Sequence, residues 1–202
     1  MSVRPLEYGT RGVLGIGVPQ ANPTVEQEMW ALRPNGVSRV TGRLCSRAPD
    51  TRARLDEYLR RLGDSLKQYD ELALDAFGFA CTGSTYLFGH EAERRHVGEL
   101  EDALGYPIVT AAAAIEEALI ELGARRIAMI APYPEWLGKL GTAYWTHRGF
   151  EVVAHAQAAL AGPDTRNIYR LRSDDALHVL DGMALEKTGT GSVDVVLFSG
   201  TG

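Results

Sequence analysis

Residues 77–89 read FGFACTGSTYLFG. The apolar run LALDAFGFA (72–80) stops abruptly at Cys81-Thr82-Gly83-Ser84-Thr85, and a new segment then begins. This is the pattern of a buried strand that gives way, through small and hydroxylated residues, to a helix. A turn of that kind points several backbone N–H groups into one space, and the helix dipole adds partial positive charge there. Two readings of Cys81 follow. It is a small buried residue that packs well, or it is a thiol made acidic by converging amides and so a base or nucleophile. Thr82, Ser84 and Thr85 supply hydroxyls, and Gly83 lets a ligand approach the backbone closely. Phosphate would suit the same amides, but no Gly-Lys-Ser/Thr is present and a nucleotide P-loop is not indicated.

Outward from this turn, strand-like and helix-like segments alternate. VLGIGVP (13–19) reads as a strand, Pro23-Thr24 opens a helix through VEQEMWAL, and VSRVTGRL (37–44) alternates like a strand. One helix is predicted over Asp50–Tyr69, with Leu55, Leu59, Leu62 and Leu66 on its apolar face, and another over Tyr86–Leu104, punctuated by Gly105 and Pro107. PIVTAA, a helix over AIEEALIELGA, the strand RIAMIAP, the amphipathic PEWLGKLGTAYWTHRG and the strand EVVAHAQ follow. The helix SDDALHVLDGMALEKTG then runs into the strand VDVVLFSG. Such alternation predicts parallel sheets built from right-handed crossovers, with ligands at the carboxyl ends of the strands.

An internal repeat refines the prediction. Ile16-Gly17-Val18-Pro19-Gln20 ends the first strand, and Met129-Ile130-Ala131-Pro132-Tyr133 ends a later one. Ala80-Cys81-Thr82-Gly83 and Ser199-Gly200-Thr201-Gly202 follow these at similar distances of roughly sixty residues. The fold class expected is α/β, with two pseudo-symmetric Rossmann-like lobes, residues 1–105 and 106–202, each with a parallel sheet. The active site is expected in the cleft between them, with Cys81 and Gly200 on opposite walls.

Composition narrows the function classes. A formal net charge of −5 gives no basic footprint for nucleic acid or an anionic membrane. No apolar stretch reaches the roughly 20 residues that span a bilayer, and MSVRPLEYGTRG lacks the apolar core of a secretory signal. Two cysteines, Cys45 and Cys81, make no disulfide framework, which predicts a cytoplasmic protein with free thiols.

The residues quoted above carry a resemblance. Gly17-Val18-Pro19-Gln20-Ala21-Asn22-Pro23-Thr24-Val25-Glu26 looks like the opening loop of maleate cis-trans isomerases, and Ala80-Cys81-Thr82-Gly83-Ser84 resembles the first catalytic cysteine loop of that family. Ala131-Pro132-Tyr133 resembles the start of its second lobe. The same fold includes arylmalonate decarboxylases and, more distantly, aspartate/glutamate racemases. The resemblance implies an enzyme without metal or organic cofactor whose two lobes enclose a small carboxylate or dicarboxylate. It implies that Cys81 is the catalytic nucleophile or base and that Asn22 and Tyr133 bind carboxylate oxygens. Thr82, Gly83 and Ser84 would supply amide or hydroxyl donors, and Gly200, Thr201 and Gly202 would line the opposite wall.

The chain departs from the family pattern at two points. Members that exchange protons on both faces carry a second cysteine where this chain has Gly200, so the resemblance implies one-sided chemistry. Either decarboxylation yields an enolate that Cys81 protonates, or Cys81 adds to an activated double bond. Relatives also continue past the position of Gly202 through a helix, a strand and a helix that complete the first lobe, and the sequence therefore reads as truncated.

Other residues have plainer readings. Cys45 is read as structural, and His90, His96, His147, His155 and His178 lack zinc-like spacing to the cysteines. Trp136, Tyr144 and Trp145 read as core or interface, a homo-oligomer such as a dimer is expected, and EAERRHVGELED reads as a solvated face. Asp164 and Asn167 belong to a loop expected to cover the cleft. The function expected is a cofactor-independent isomerase, racemase or decarboxylase acting at the carbon next to a carboxylate. The alternatives are a carboxylate-binding or regulatory protein without turnover, and a cysteine-dependent hydrolase or lyase.

Overall fold

The computed structural model describes residues 7–158, 162, 164–183, 185 and 192–200. Two parallel sheets carry the chain. In the first, β1 (Gly12–Pro19) lies between β2 (Val37–Leu44) and β3 (Ala76–Phe79), and β4 (Ile108–Thr110) adds to the far side of β3. In the second, β5 (Arg126–Ala131) lies between β6 (Glu151–Gln157) and β7 (Val195–Phe198). Parallel neighbours require long crossovers, and helices supply them. These are α1 (Val25–Leu32), α2 (Thr51–Arg60) with α3 (Leu62–Leu66), α4 (Thr82–Phe88) with α5 (His90–Leu104), α6 (Ala111–Glu121), α7 (Glu135–His147) and α8 (Ser173–Gly182). Central strands β1 and β5 are buried along most of their length, which explains their near-continuous apolar sequence.

The repeat read from sequence is present in the strand register. Gly17 pairs with Phe79 and Ile130 pairs with Phe198. Two residues beyond each pair lie Pro19 and Cys81 in the first sheet, and Pro132 and Gly200 in the second, so Cys81 and Gly200 occupy equivalent places. The first sheet extends to Thr110 through β4, five residues past the division expected at residue 105.

Two helices differ from the expectation. The segment Asp50–Tyr69 breaks at Arg61 into α2, α3 and a 3-10 turn over Lys67–Tyr69. The segment predicted as one helix from Tyr86 begins earlier, at Thr82, and is divided at Gly89, whose φ of 76° ends α4. A left-handed residue cannot continue a right-handed helix, and glycine adopts it without a Cβ clash. Local pairing fixes the starts: Asp50 accepts from Ala53 N at 2.9 Å to cap α2, and Thr110 accepts from Ala113 N at 3.1 Å to cap α6. The helix expected over 173–189 is seen over Ser173–Gly182, and most of the remainder lies outside the described residues.

The main core runs continuously from Leu44, Leu59 and Phe77 under the first sheet to Ile127, Met129 and Trp145 in the second. Tyr86 of α4 sits at the junction. Its ring meets Tyr133 and Trp145 edge-on at centroid distances of 6.1 Å, and its hydroxyl contacts Ser199 Oγ at 2.7 Å while accepting from Trp145 Nε1 at 2.9 Å. Tyr86 therefore ties the helix after Cys81 to the residue before Gly200. Among the described residues no helix is long and apolar enough to cross a membrane.

Candidate active site

A cavity of about 310 Å³ opens where the carboxyl ends of the two sheets converge. Its wall takes Pro19 from the end of β1 and Asn22 just beyond it, Cys81 to Gly83 from the turn after β3, Tyr133 from the turn after β5, and Gly200 after β7. Helix α2 adds Arg54, Leu55 and Tyr58, and the 3-10 turn Thr165–Arg170 adds Thr165, Arg166, Ile168 and Tyr169. The volume suits a small ligand, at the low end of the range for binding pockets.

Cys81 stands directly before α4, with extended backbone at φ −148°. Its Sγ lies 3.2 Å from Ser84 Oγ, and the amides of Gly83 and Ser84 also point at the sulfur. The converging donors expected from the sequence are thus in place. Their consequence is not the expected one. Burial is the largest influence on the thiol and pushes its pKa above the usual 9.0, while the Ser84 hydroxyl and the Ser84 and Gly83 amides pull it back only in part. Burial thus moves the thiol in the direction opposite to the lowering expected from the amides alone.

The other expected residues separate into two groups. Asn22, Thr82, Gly83, Tyr133 and Gly200 all reach the cavity. Asn22 is buried, and its Oδ1 accepts from Thr24 N at 2.7 Å and Val25 N at 3.1 Å, so it shapes the start of α1 as well as facing the cavity. Its side chain also hydrogen-bonds Tyr169. The hydroxyls of Thr82 and Tyr133 meet at 2.5 Å. Burial pushes the Tyr133 phenol up strongly, which keeps it a proton-bearing donor. A methyl at Gly83 would meet Leu55 and Leu137 at 3.4–3.5 Å, an ordinary contact, so packing alone does not demand glycine there. Ser84 is buried behind the sulfur and is absent from the cavity wall. Thr201 and Gly202 lie outside the described residues.

Several cavity residues carried no sequence signal. Arg54 is 3% exposed, and its Nη2 donates to Asp164 Oδ1 at 2.9 Å, Thr51 Oγ1 at 3.2 Å and Thr165 Oγ1 at 3.4 Å. Tyr58 follows one turn later on α2, its phenol pushed up to about 12, chiefly by burial. Tyr169 is likewise pushed up by burial. Asp164 and Asn167, from the segment expected to cover the cleft, are both absent from the cavity wall; Asp164 meets the site through its ion pair with Arg54, and the neighbouring Thr165, Arg166, Ile168 and Tyr169 line the cavity. The Asp164 carboxyl is lowered to about 2, first by the hydrogen bond from Arg166. Among the described residues the cavity wall includes two arginines and no carboxylate, which favours an anionic occupant.

Elsewhere the histidines stay apart from the site, and among the described residues no group of His, Cys, Asp and Glu is arranged to hold a metal ion. Cys45 is exposed and unpaired as a thiol, Cys81 buried and unpaired. Tyr144 and Trp145 are core residues, as read.

Comparison with known proteins adds the following. The family model described as arylmalonate decarboxylase matches residues 14–201. The maleate isomerase of Pseudomonas putida is 30% identical over 201 residues, covering 92% of this chain and 76% of the relative. A cysteine-to-serine variant of the Nocardia farcinica maleate cis-trans isomerase, solved with a covalently bound succinylcysteine intermediate, superposes with a TM-score of 0.78 at 21% identity, over 92% of this chain and 76% of that one. A cysteine-to-alanine variant of the maleate isomerase Iso from Pseudomonas putida S16, solved with maleate, gives a TM-score of 0.64 at 26% identity, over 81% and 74% of the two chains.

Proposed function

The chain belongs to the arylmalonate decarboxylase family and is homologous to maleate isomerases, and on that premise we propose that it is an isomerase or decarboxylase working at the carbon next to a carboxylate, with Cys81 as its one reacting thiol. The observation that carries this reading is the placement of Cys81. It stands on the wall of a small cavity that has hydroxyl and amide donors and, among the described residues, no opposing carboxylate, and the equivalent position across the cavity is Gly200. Charge that develops on a substrate carboxylate would be met by the Thr82–Tyr133 hydroxyl pair. Tyr133 holds its proton there, and the site is withdrawn from water.

Burial, which raises the Cys81 pKa and so favours its S–H form, favours decarboxylation of a malonate-type diacid. The bond to one carboxylate breaks, carbon dioxide leaves, and the electron pair spreads onto the remaining carboxylate as an enediolate. The Cys81 S–H then gives its proton to the α-carbon, and the resulting thiolate regains a proton from water. A thiol that begins protonated needs no prior base for this task.

The relatives favour a second route on the same atoms. The N. farcinica variant named above, with one cysteine changed to serine, carries a succinylcysteine, so an adduct forms on a cysteine there. By analogy, Cys81 as thiolate would add to one carbon of a cis-enedioate, and the π electrons would move onto the neighbouring carboxylate. Rotation about the central carbon–carbon bond, now single, followed by return of the electrons to re-form the double bond as the C–S bond breaks and the thiolate leaves, would give the trans acid. The Ser84 hydroxyl and the Gly83 and Ser84 amides supply the stabilisation this thiolate needs.

Proton NMR in deuterated water separates the routes. Phenylmalonate should give phenylacetate with deuterium at the α-carbon, or maleate should give fumarate, and Cys81→Ala should abolish whichever occurs. Consumption of neither acid, or undiminished turnover by Cys81→Ala, refutes the proposal.

A further inference from the structure

Arg54 is the least expected member of the cavity. A guanidinium 3% exposed carries a large desolvation cost unless its charge is matched. The match within the chain is incomplete. Asp164 is shared, since Arg166 also pairs with it through Nε at 2.7 Å and through Nη2. Two guanidiniums and one carboxylate leave one net positive charge at the cavity wall. All of the side-chain hydrogen bonds of Arg54 among the described residues come from Nη2, which leaves the Nε and Nη1 donors for an occupant. Cys81, Arg54, Tyr58 and Tyr169 all line the one cavity, so sulfur and guanidinium open on the same small space.

We propose that Arg54 is a specificity-determining residue that reads a second anionic group on the substrate, in competition with Asp164. This rests on the reading of the cavity as a carboxylate site. The acid group that undergoes chemistry would lie against Thr82 and Tyr133, and the distal one would complete the charge balance at Arg54 through the free edge of the guanidinium. Asp164, on the segment from the second sheet, holds Arg54 when no ligand is bound. A monoacid would leave that pairing undisturbed and gain nothing from the extra charge.

The test uses titration calorimetry on the Cys81→Ala protein, which prevents turnover, with maleate and with (Z)-but-2-enoate, its counterpart bearing a methyl in place of one carboxylate. Maleate should bind about tenfold or more tightly than the monoacid, the scale of a hydrogen-bonded charge, and Arg54→Met should erase that difference while leaving the monoacid affinity within about twofold. Asp164→Asn keeps the shape and the backbone acceptor but removes the competing charge, so it should raise maleate affinity and leave the monoacid unchanged. A purely structural role for the pair would give no such gain, and this arm decides the question if Arg54→Met does not fold. A maleate preference that survives Arg54→Met, or an Asp164→Asn protein with unchanged or weaker maleate binding, overturns the role of Arg54 and leaves the carboxylate site standing. Failure of both acids to bind the folded parent protein overturns both readings.

Discussion

The hydroxyl oxygens of Thr82 and Tyr133 lie 2.5 Å apart, one from the first residue of α4 and the other from the turn after β5. This contact joins elements of the two sheets at the wall of the cavity that Cys81, the residue before Thr82, also lines. Burial keeps the Tyr133 phenol protonated, so one of the two hydroxyls donates to the other and the remaining proton is available to a ligand.

Tyr133→Phe should therefore cost both stability and turnover. It leaves the buried Thr82 hydroxyl without its partner, a loss of about 1–3 kcal/mol in urea unfolding. It also removes a donor for developing carboxylate charge, which should lower kcat by about tenfold to a hundredfold with a smaller change in KM. A kcat equal to that of the parent would remove Tyr133 from the reaction.

The two cysteines should respond differently to alkylation. Cys45 is exposed, whereas burial holds the Cys81 thiol above its usual 9.0. Between about pH 6 and pH 8, iodoacetamide should label Cys45 first, with Cys81 labelling rising only above about pH 9, as read by peptide mass spectrometry. The sign of the stability effect follows. A thiol whose folded pKa is raised favours the folded state fully below 9.0, and that contribution is lost as pH rises through the folded value. Cys81→Ala should accordingly flatten part of the stability loss on the alkaline side. Rapid labelling of Cys81 at neutral pH would contradict this picture.

Much of the architecture was legible because it rests on local pattern. The apolar runs at 13–19 and 126–131 announce strands covered on both faces, whereas 72–80 yields a strand only over Ala76–Phe79, whose residues alternate between buried and half-buried, and the matched Pro19 and Pro132 announce the repeat that the register bears out. The turn at Cys81 was legible for the same reason, since its small residues and following helix determine where the amides point. The thiol's ionisation was not, because it depends on how completely Tyr133, Tyr169 and the neighbouring walls exclude water. Arg54 was invisible as well. On a sequence reading of α2 it is one of several arginines on a charged face, and only the fold places it, with Tyr58, on the buried side against a partner 110 residues away. The break at Gly89 was missed because a lone glycine in a helical pattern has no distinctive periodic signature.

Glu93 offers a second pH-dependent handle, away from the cavity. It is 4% exposed on α5 and accepts from Thr110 Oγ1 at 2.5 Å and Tyr144 Oη at 2.8 Å. Burial outweighs both hydrogen bonds and raises its pKa above the usual 4.5. Its favourable contribution is fully present below 4.5 and lost as pH rises through the folded value. Glu93→Gln should remove that part of the slope and leave the protein more stable near neutrality relative to the parent than at low pH. Thermal melts across this range check it, and an unchanged slope would show that Glu93 ionises freely in the folded protein.

The last prediction concerns the wall opposite Cys81. Gly200 has a φ of 113°, and a Cβ placed on it would meet Tyr133 Oη at 3.1 Å and Pro132 at 3.3 Å. Introducing a second thiol by Gly200→Cys therefore places an L-residue in a left-handed conformation and presses it on the tyrosine that pairs with Thr82. The strain should cost about 1–3 kcal/mol of stability. The displaced Tyr133 should also weaken carboxylate binding, so the added sulfur should not produce two-sided proton exchange. Incubation of a resolved α-chiral acid in deuterated water, followed by chiral chromatography, distinguishes the cases. Racemisation with deuterium incorporation by Gly200→Cys, at undiminished stability, would show that this wall accommodates a thiol, whereas retained configuration with a lowered melting temperature would place the limit in the backbone around Gly200.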